Sequence, residues 1–281
     1  LKLELGVTTL PKLPKDLTDR NRTSPFAFTG NKFEFRMVPS SESIAGANFT
    51  LNTTVAEVLS QFADRLEKSK DVTATVKEIV TETWKKHNRI VFNGNGYTDE
   101  WIKEAVKRGL PNITSSVEAW PYFGKEDSVK LFTKHKVFSK EEIHARLDIV
   151  LEKYSKQINI EAGVAFEMAT REIIPACSDY AVELAAQLQT LEGSGVKSAS
   201  LKQKLGDVMT MVEEAAKIAA KLDADRKATK ALTDVLAQAK AYRDTVFADM
   251  EALRAPIDRL EKLLPRDYWP MPTYEELLFR M

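Results

Sequence analysis

The sequence predicts an α+β fold that is mostly α-helical, with a short antiparallel-sheet segment followed by a long helical hairpin or bundle. Residues 1–50 contain short runs of alternating polarity between Pro, Gly and Ser, which is typical of strands and turns. From Thr53 onward, apolar residues recur at three- and four-residue spacing, the period of an amphipathic helix. Near the end of the chain, two apolar series repeat every seven residues, which predicts helices packed side by side.

The clearest strand pattern lies in NRTSPFAFTGNKFEFR, residues 21–36. Lys32, Glu34 and Arg36 alternate with two phenylalanines, so in an extended chain the three charges share one face and the phenylalanines share the other. We expect the phenylalanines to pack into a core and the charges to face a cleft. The alternative is a solvated face with cross-strand ion pairs, because charged alternation is common on edge strands.

The first helical stretch is predicted from Thr53 to about His87, and the loop NGNGYTDE follows at 93–100. Thr98 and the two acidic residues after it can cap a helix that begins near Trp101, since side-chain oxygens accept hydrogen bonds from the first backbone N–H groups of a helix. The sequence RGLPNITS is predicted to end this helix.

From Ser139 the chain is predicted to be almost wholly helical. Ser139 and Glu142 fit the capping-box pattern at the start of a helix. Pro175 predicts a kink or a break, because proline lacks the backbone N–H that a helix interior needs. The glycines at 193 and 195 predict a hinge between antiparallel helices.

The last helix carries the two seven-residue series, which together we call the heptad seam. Such a seam packs on partner helices. Arg243 and Pro256 interrupt it, which favours an antiparallel hairpin over a long free-standing coiled coil. The seam consists of Leu232, Ala239, Val246, Leu253 and Leu260, and of Leu236, Arg243, Met250, Ile257 and Leu264.

The overall composition excludes several classes of partner. The 281 residues include 41 basic and 41 acidic ones, so no basic excess favours nucleic acid or an anionic membrane. No apolar run approaches the roughly 20 residues that a membrane span requires. The single cysteine, Cys177, rules out an intrachain disulfide and favours a reducing, cytoplasmic location.

The histidines, the cysteine and the glycine-rich loop of this chain do not show the spacing of a known catalytic or metal site. The three histidines, at positions 87, 135 and 144, lack metal-ligand spacing, and Cys177 is interpreted as a buried structural thiol. The glycines of NGNGY suggest a phosphate loop, but the lysine of a P-loop is missing and a turn is the better interpretation.

Residues 19–36 combine the groups that phosphoryl transfer needs. Arg20, Arg22, Lys32 and Arg36 are positive charges suited to phosphate and carboxylate oxygens, which arginine can bind bidentately. A carboxylate between two of them, Glu34, can bind a hard cation such as Mg²⁺. Positioning and charge neutralisation supply most of the catalysis in phosphoryl transfer.

The stretch NRTSPFAFTGNKFEFR closely resembles the segment of glutamine synthetases in which an N-R-[ST] motif precedes a strand ending in E-x-R. The chain as a whole resembles the C-terminal part of the type III glutamine synthetases. The resemblance extends through SIAGANFTLNT, IVFNGNGYTDEW, LFTKHKVFS, the long helical extension and ELLFR, and so covers nearly the full length.

The resemblance implies a role for each charged residue of this stretch. Glu34 would be a ligand of Mg²⁺ or Mn²⁺, Arg36 would bind the substrate glutamate, and Arg22 would bind substrate and contact the transferring phosphoryl group as a catalytic residue. Lys32 would contact the nucleotide, where many family members have arginine; lysine keeps the charge but loses the fork geometry. Ala27 occupies a position where many members have another arginine, so that phosphate contact is lacking or supplied elsewhere.

The resemblance also implies the activity, which is ATP-dependent ligation of ammonia to glutamate through a γ-glutamyl phosphate. Residues 1–138 would be the C-terminal part of the catalytic domain, 139–264 the helical extension and 265–281 an extended segment whose prolines and aromatics pin it to a surface. The family implies a homo-oligomer of stacked hexameric rings.

The remaining metal and ammonium ligands of the family lie upstream of anything present here. Together with a start at Leu1, this predicts a fragment of a longer chain. The alternative function is a helical structural or interaction protein that retains a non-catalytic relic of the synthetase strand.

Overall fold

The computed structural model describes residues 43–92, 96 and 98–279 in full, apart from the side chain of Tyr274, and the backbone of four short strands. Strand β1 (Lys2–Leu3) pairs antiparallel with β2 (Leu13–Pro14), and β3 (Phe26–Phe28) pairs antiparallel with β4 (Phe33–Phe35). The two pairs form separate two-stranded ladders.

Helices account for most of the described chain. Two π-helical turns, at Ala169–Ile173 and Tyr242–Val246, and two 3₁₀ turns, at Asn88–Ile90 and Arg266–Tyr268, connect or flank them. The α-helices are α1 (Ala45–Glu67), α2 (Val72–His87), α3 (Asp99–Lys107), α4 (Ser116–Phe123), α5 (Glu126–Lys134), α6 (Lys140–Met168), α7 (Ile174–Gly193), α8 (Ala199–Lys230), α9 (Val235–Ala241), α10 (Phe247–Leu263) and α11 (Tyr274–Phe279).

The predicted α+β fold class is wrong. The residues described in full are 82% helical and contain no strand, so this is an all-helical domain. The four short strands, of two or three residues each, form two isolated ladders and not a sheet that could serve as a layer of a fold. Isolated two-stranded pairs are marginal by themselves, because independent stability takes a third strand or a helix packed on the sheet. Among the described residues, no helix combines the length and the apolar character needed to cross a membrane.

The chain divides into two compact units. Unit 1 comprises residues 1–114 and 125–140, and unit 2 comprises residues 115–124 and 141–281. The break in sequence arises because α4 belongs to unit 2 while α5 belongs to unit 1.

After the four short strands, unit 1 continues with a helical hairpin of α1 and α2. The helical stretch predicted from Thr53 to about His87 consists of two helices: α1 ends at Glu67, and the Asp71 side chain caps α2 by accepting a hydrogen bond from the Ala74 N–H at 3.0 Å. An ion pair of 2.7 Å between Arg65 and Glu82 joins the two helices.

The predicted cap of α3 is confirmed. The Thr98 hydroxyl accepts a hydrogen bond from the Trp101 N–H at 3.4 Å, and α3 follows directly. After the helix, Gly109 adopts a φ of +69°, a left-handed conformation that glycine tolerates without steric cost. The Arg108 side chain at this end donates to the carbonyls of Arg89 and Val91, which fixes the turn after α2.

Unit 2 is built from three helical rods. The first is α6 continued through a π-helical turn into α7, the second is α8, and the third is α9 continued through a π-helical turn into α10. The second rod runs antiparallel to the first, because Lys204 lies over the Tyr180 ring while Arg226 contacts Asn159. The predicted hinge is confirmed, since Gly195 has a φ of +78° between α7 and α8.

The third rod is antiparallel to α8 as well. Arg259 pairs with Glu214 at 2.7 Å, whereas Lys221, further along α8, pairs with the earlier residue Asp249. One series of the heptad seam is buried within the chain from Ala239 to Leu260, as is Leu264 of the other, while Arg243, Met250 and Ile257 are partly buried, which confirms the packing predicted for it. The exception is Leu232, which is exposed because it precedes α9.

Two prolines have different effects on these rods. Pro175 stands in the first turn of α7, directly after the π-helical turn that separates α6 from α7, so the predicted interruption lies just before this proline. Pro256 lies inside α10 and is fully buried without ending the helix.

Candidate functional site

Of the four predicted site residues, Glu34 alone lies in the described backbone. It is the central residue of β4, and the strand register places it directly opposite Ala27 of β3. Arg22, Lys32 and Arg36 lie outside the described residues, and so does the predicted division into a charged and an apolar face. Their roles therefore stay predictions. In this ladder Glu34, the predicted metal ligand, is therefore paired with Ala27, the position at which many family members are expected to have an arginine.

No second metal site competes with this prediction in the part of the chain that the structure describes in full, because it contains no group of three or more His, Cys, Asp or Glu side chains that could hold an ion. Cys177 is fully buried, and burial raises the pKa of its thiol to about 11. The thiolate, which is the nucleophilic form, is therefore disfavoured at neutral pH. The burial predicted for Cys177 is confirmed.

A charged cluster in unit 1 involves Glu57 of α1. Its Oε1 accepts hydrogen bonds from Lys134 and Gln61, each at 2.8 Å, and its Oε2 lies 2.7 Å from Nε2 of His135. These bonds, that from Lys134 above all, lower the pKa of Glu57 to about 2. Since both carboxylate oxygens have partners, the cluster attaches the end of α5 to α1 and leaves no oxygen free for a ligand.

A polar layer crosses the helical rods of unit 2. The Asn159 side-chain oxygen accepts hydrogen bonds from the Tyr242 hydroxyl at 3.2 Å and from Arg226 at 3.4 Å. A second guanidinium nitrogen of Arg226 donates to Asp223 at 2.8 Å. Burial raises the pKa of Tyr242, so its hydroxyl stays protonated and can donate. This layer was not predicted, although the polar Asn159 next to the apolar Ile158 was a signal for it in the sequence.

An apolar groove lies on unit 1. It has a volume of about 340 Å³ and is lined by α1, α2 and the residues that follow α2; we call it the α1–α2 groove. Phe62 and Ile79 contribute from the two helices, and Val80, Trp84, Ile90 and Val91 line it further. His87 is its one titratable lining residue. A surface of this composition lacks the cations that a phosphate or carboxylate site requires.

The residues described in full form a helical scaffold and contain no group of side chains that could hold a metal ion. Comparison with known proteins shows what this scaffold is similar to. Residues 75–192 match the family described as glutamine synthetase C-terminal domain.

Three relatives align with almost the whole chain. A glutamine synthetase of Butyrivibrio fibrisolvens is 39% identical over 280 residues, which is 95% of this chain. A type-3 glutamine synthetase of Dictyostelium discoideum is 35% identical over 286 residues, and a glutamine synthetase of Bacteroides fragilis (strain YCH46) is 33% identical over 287, each covering 99% of this chain. The alignments cover 39% of the length of each relative.

Residues 75–192 are therefore similar to the glutamine synthetase C-terminal domain. The predicted resemblance to the type III glutamine synthetases is confirmed over nearly the full length. The chain spans about two fifths of the length of these relatives, so their names say what this sequence is similar to and not what the chain does taken alone.

Proposed function

We propose that this chain is part of an ATP-dependent glutamate–ammonia ligase, which forms glutamine as one region of a longer polypeptide. The observation that carries the proposal is the 35% identity over 99% of the chain with a protein named type-3 glutamine synthetase. The alignment covers 99% of the chain, so it includes most of residues 21–36, which contain the four predicted site residues.

Each of the three positively charged site residues predicted from the sequence has a distinct role in this proposal. Arg36 holds a carboxylate of glutamate through a bidentate pair of hydrogen bonds, which fixes its orientation as well as its position. Arg22 stabilises the negative charge on the transferring phosphoryl group, and Lys32 binds the phosphates of ATP as a point charge.

Glu34 fits the chemistry of a divalent cation but supplies only part of a site. Mg²⁺ prefers about six oxygen ligands, and a single carboxylate provides one or two of them. The other ligands must come from ATP, water and parts of the enzyme outside this chain, in accord with its coverage of 39% of each relative. When bound, Mg²⁺ or Mn²⁺ would neutralise phosphate charge.

The reaction then takes place in two displacements. An oxygen of the glutamate γ-carboxylate attacks the γ-phosphorus of ATP, the bond to the β,γ-bridging oxygen breaks, and ADP leaves. Ammonia next attacks the acyl carbon of γ-glutamyl phosphate, inorganic phosphate departs, and the nitrogen loses a proton to give the amide of glutamine. Arg36 keeps glutamate in place during both displacements, and Arg22 stabilises the charge of the phosphoryl group in each.

Three further features belong to the same proposal. The enzyme acts on glutamate, ammonia and ATP, it self-associates into a homo-oligomer, and it works in the cytoplasm. The even balance of 41 basic and 41 acidic residues supports small-molecule substrates over nucleic acid.

The test is glutamine formation by the longer natural polypeptide that contains this sequence. We expect ATP-dependent and Mg²⁺- or Mn²⁺-dependent glutamine formation, and an intact mass well above the 31.6 kDa of this chain. An intact mass of 31.6 kDa with no ATP-dependent consumption of glutamate would instead support the helical structural protein.

A further inference from the structure

The α1–α2 hairpin of unit 1 carries large apolar side chains on its surface. Val80 and Trp84 are 62% and 61% exposed, and Ile90 in the turn after α2 is 61% exposed. Val72, Val76, Val80 and Trp84 follow one another at four-residue spacing along α2, so they form a stripe on one side of the helix. A stripe of this kind on an amphipathic helix is normally turned towards a core.

This stripe leads into the α1–α2 groove. Val80, Trp84, Ile90 and Val91 all line the groove, and Ile79 within it is buried. All of the lining residues come from α1, α2 or residues 88–91, so the described elements that form the groove leave it open. Contiguous apolar surface exposed to water is unfavourable and marks an interaction site.

We propose that the α1–α2 groove docks the catalytic part of the glutamine synthetase polypeptide that the longer relatives have in addition to the length matched here. The inference rests on the proposed function, because it requires the longer enzyme. The first argument is length: the alignments leave about three fifths of each relative unmatched, which is ample to supply a docking partner.

The second argument is position. The match to the C-terminal domain begins at residue 75, inside α2, whereas α1 and β4 with Glu34 precede it. The groove, lined by residues between 62 and 91, therefore lies where the matched C-terminal domain begins in the sequence, after the stretch that carries the predicted active-site strand. The third argument is chemistry: the groove is apolar apart from His87, Thr83 and Asn88, so its partner presents an apolar face and not a charged ligand.

The test compares the reactivity of an introduced thiol in the 281-residue chain and in the longer polypeptide. Val80→Cys places the thiol on the groove, and Val182→Cys, at a position 69% exposed on α7 of unit 2, is the matched control. The native Cys177 is fully buried and should stay unlabelled by a maleimide, so it reports that unit 2 is folded in every sample. Peptide mapping by mass spectrometry assigns the label to each position.

In the longer polypeptide we expect the Val80→Cys thiol to react at least about tenfold more slowly than the Val182→Cys thiol, because a docked surface is reached only through local opening. In the 281-residue chain the two thiols should react at similar rates. An Ile90→Cys variant at the edge of the groove repeats the comparison and serves in place of Val80→Cys if that substitution disturbs α2.

Three results would overturn the proposal. Equal labelling of both positions in the longer polypeptide would show that nothing docks on the groove. Protection in the 281-residue chain at every protein concentration would mean that its own residues cover the groove, and protection that grows with concentration would point to a second copy. Glutamine formation by the unsubstituted longer polypeptide is measured separately: protection without glutamine formation would overturn the proposed function and leave the docking surface standing.

Discussion

The two units of this chain differ in how completely they bury their apolar side chains. In unit 2, residues from all three rods are fully buried, among them Val208, Leu222, Val246 and Leu260. In the described part of unit 1, the buried residues are Thr53, Ile79 and Phe132, while much of α2 exposes its apolar stripe. Unit 2 thus has a core of its own, whereas the described part of unit 1 buries few side chains and exposes an apolar stripe.

This difference suggests that one unit stabilises the fold while the other contributes to the reaction. The predicted site residues all precede α1 in unit 1, and the polar groups described in unit 2 form ion pairs and a polar layer between its own helices. Unit 2 is therefore expected to hold the fold, and unit 1 to contribute to the reaction. Substitutions in each unit test this division.

Leu222→Ala should have the largest effect on stability. Leu222 is fully buried between the rods of unit 2, and removal of a buried leucine side chain typically lowers the free energy of unfolding by about 2–5 kcal/mol. Leu59→Ala, at a position 59% exposed on α1, is the same change in unit 1 and should cost less than about 0.5 kcal/mol. Urea denaturation of the 281-residue chain measures both, and equal losses would refute the difference between the units.

Glu34→Ala should abolish most of the activity of the longer enzyme without destabilising it. Loss of one carboxylate from a cation site leaves phosphate charge unneutralised, which costs several kcal/mol in the transition state. At about 1.4 kcal/mol per decade, the rate of γ-glutamyl transfer should fall roughly a hundredfold or more. The melting temperature should stay unchanged; an active variant would defeat the metal assignment, and an inactive one that melts far lower would show only that Glu34 supports the fold.

Arg36→Lys should have a smaller and more selective effect. The substitution keeps the charge and loses the bidentate fork, and a hydrogen bond to a charged group contributes about 1.5–3 kcal/mol. We expect the KM for glutamate to rise by roughly tenfold or more while ATP binding is retained. Steady-state kinetics with each substrate varied in turn separate the two, and an equal loss for ATP and glutamate would contradict the assignment to glutamate.

Glu57 predicts a small pH effect on unit 1. Its pKa in the folded chain is lowered to about 2 from an ordinary value of 4.5, chiefly by the hydrogen bond from Lys134. Its stabilising contribution is therefore complete above pH 4.5 and is lost as the pH falls towards 2. The melting temperature of Glu57→Gln should lie below that of the parent at pH 7 and approach it in acid. Glu67→Gln on the same helix is the control, and a difference between Glu57→Gln and the parent that grows in acid would contradict the mechanism.

Local sequence cues predicted several helix ends correctly. The Thr98 cap and the hinge around Gly195 depend on residue chemistry within a few positions, which the sequence displays directly. The break between α1 and α2 was missed although Asp71 offered a cap, because the apolar period continues across it. The π-helical turn at Ala169–Ile173 was not predicted either.

The predicted fold class was wrong because the strand-like composition of residues 1–50 is a weak indicator of a sheet. The start of α1 is rich in Asn and Thr, which disfavour helices, yet the hydroxyls of Thr53 and Thr54 donate to the carbonyls of Phe49 and Thr50 within the helix. The candidate site came from a charge pattern and a family resemblance. The resemblance is confirmed, while Arg22, Lys32 and Arg36 lie outside the described residues and their roles stay predictions.

Hydrogen exchange of the 281-residue chain tests the central difference between the units most directly. The backbone amides of α8 from Val208 to Leu222 lie in the core of unit 2, and those of α2 from Val76 to Trp84 lie beneath the open stripe of unit 1. We predict that the α8 amides exchange at least about a hundredfold more slowly than the α2 amides, because local opening costs less where few apolar contacts are buried. Equal protection of the two segments in the 281-residue chain would contradict the account, since it would show that unit 1 needs no partner to complete its core.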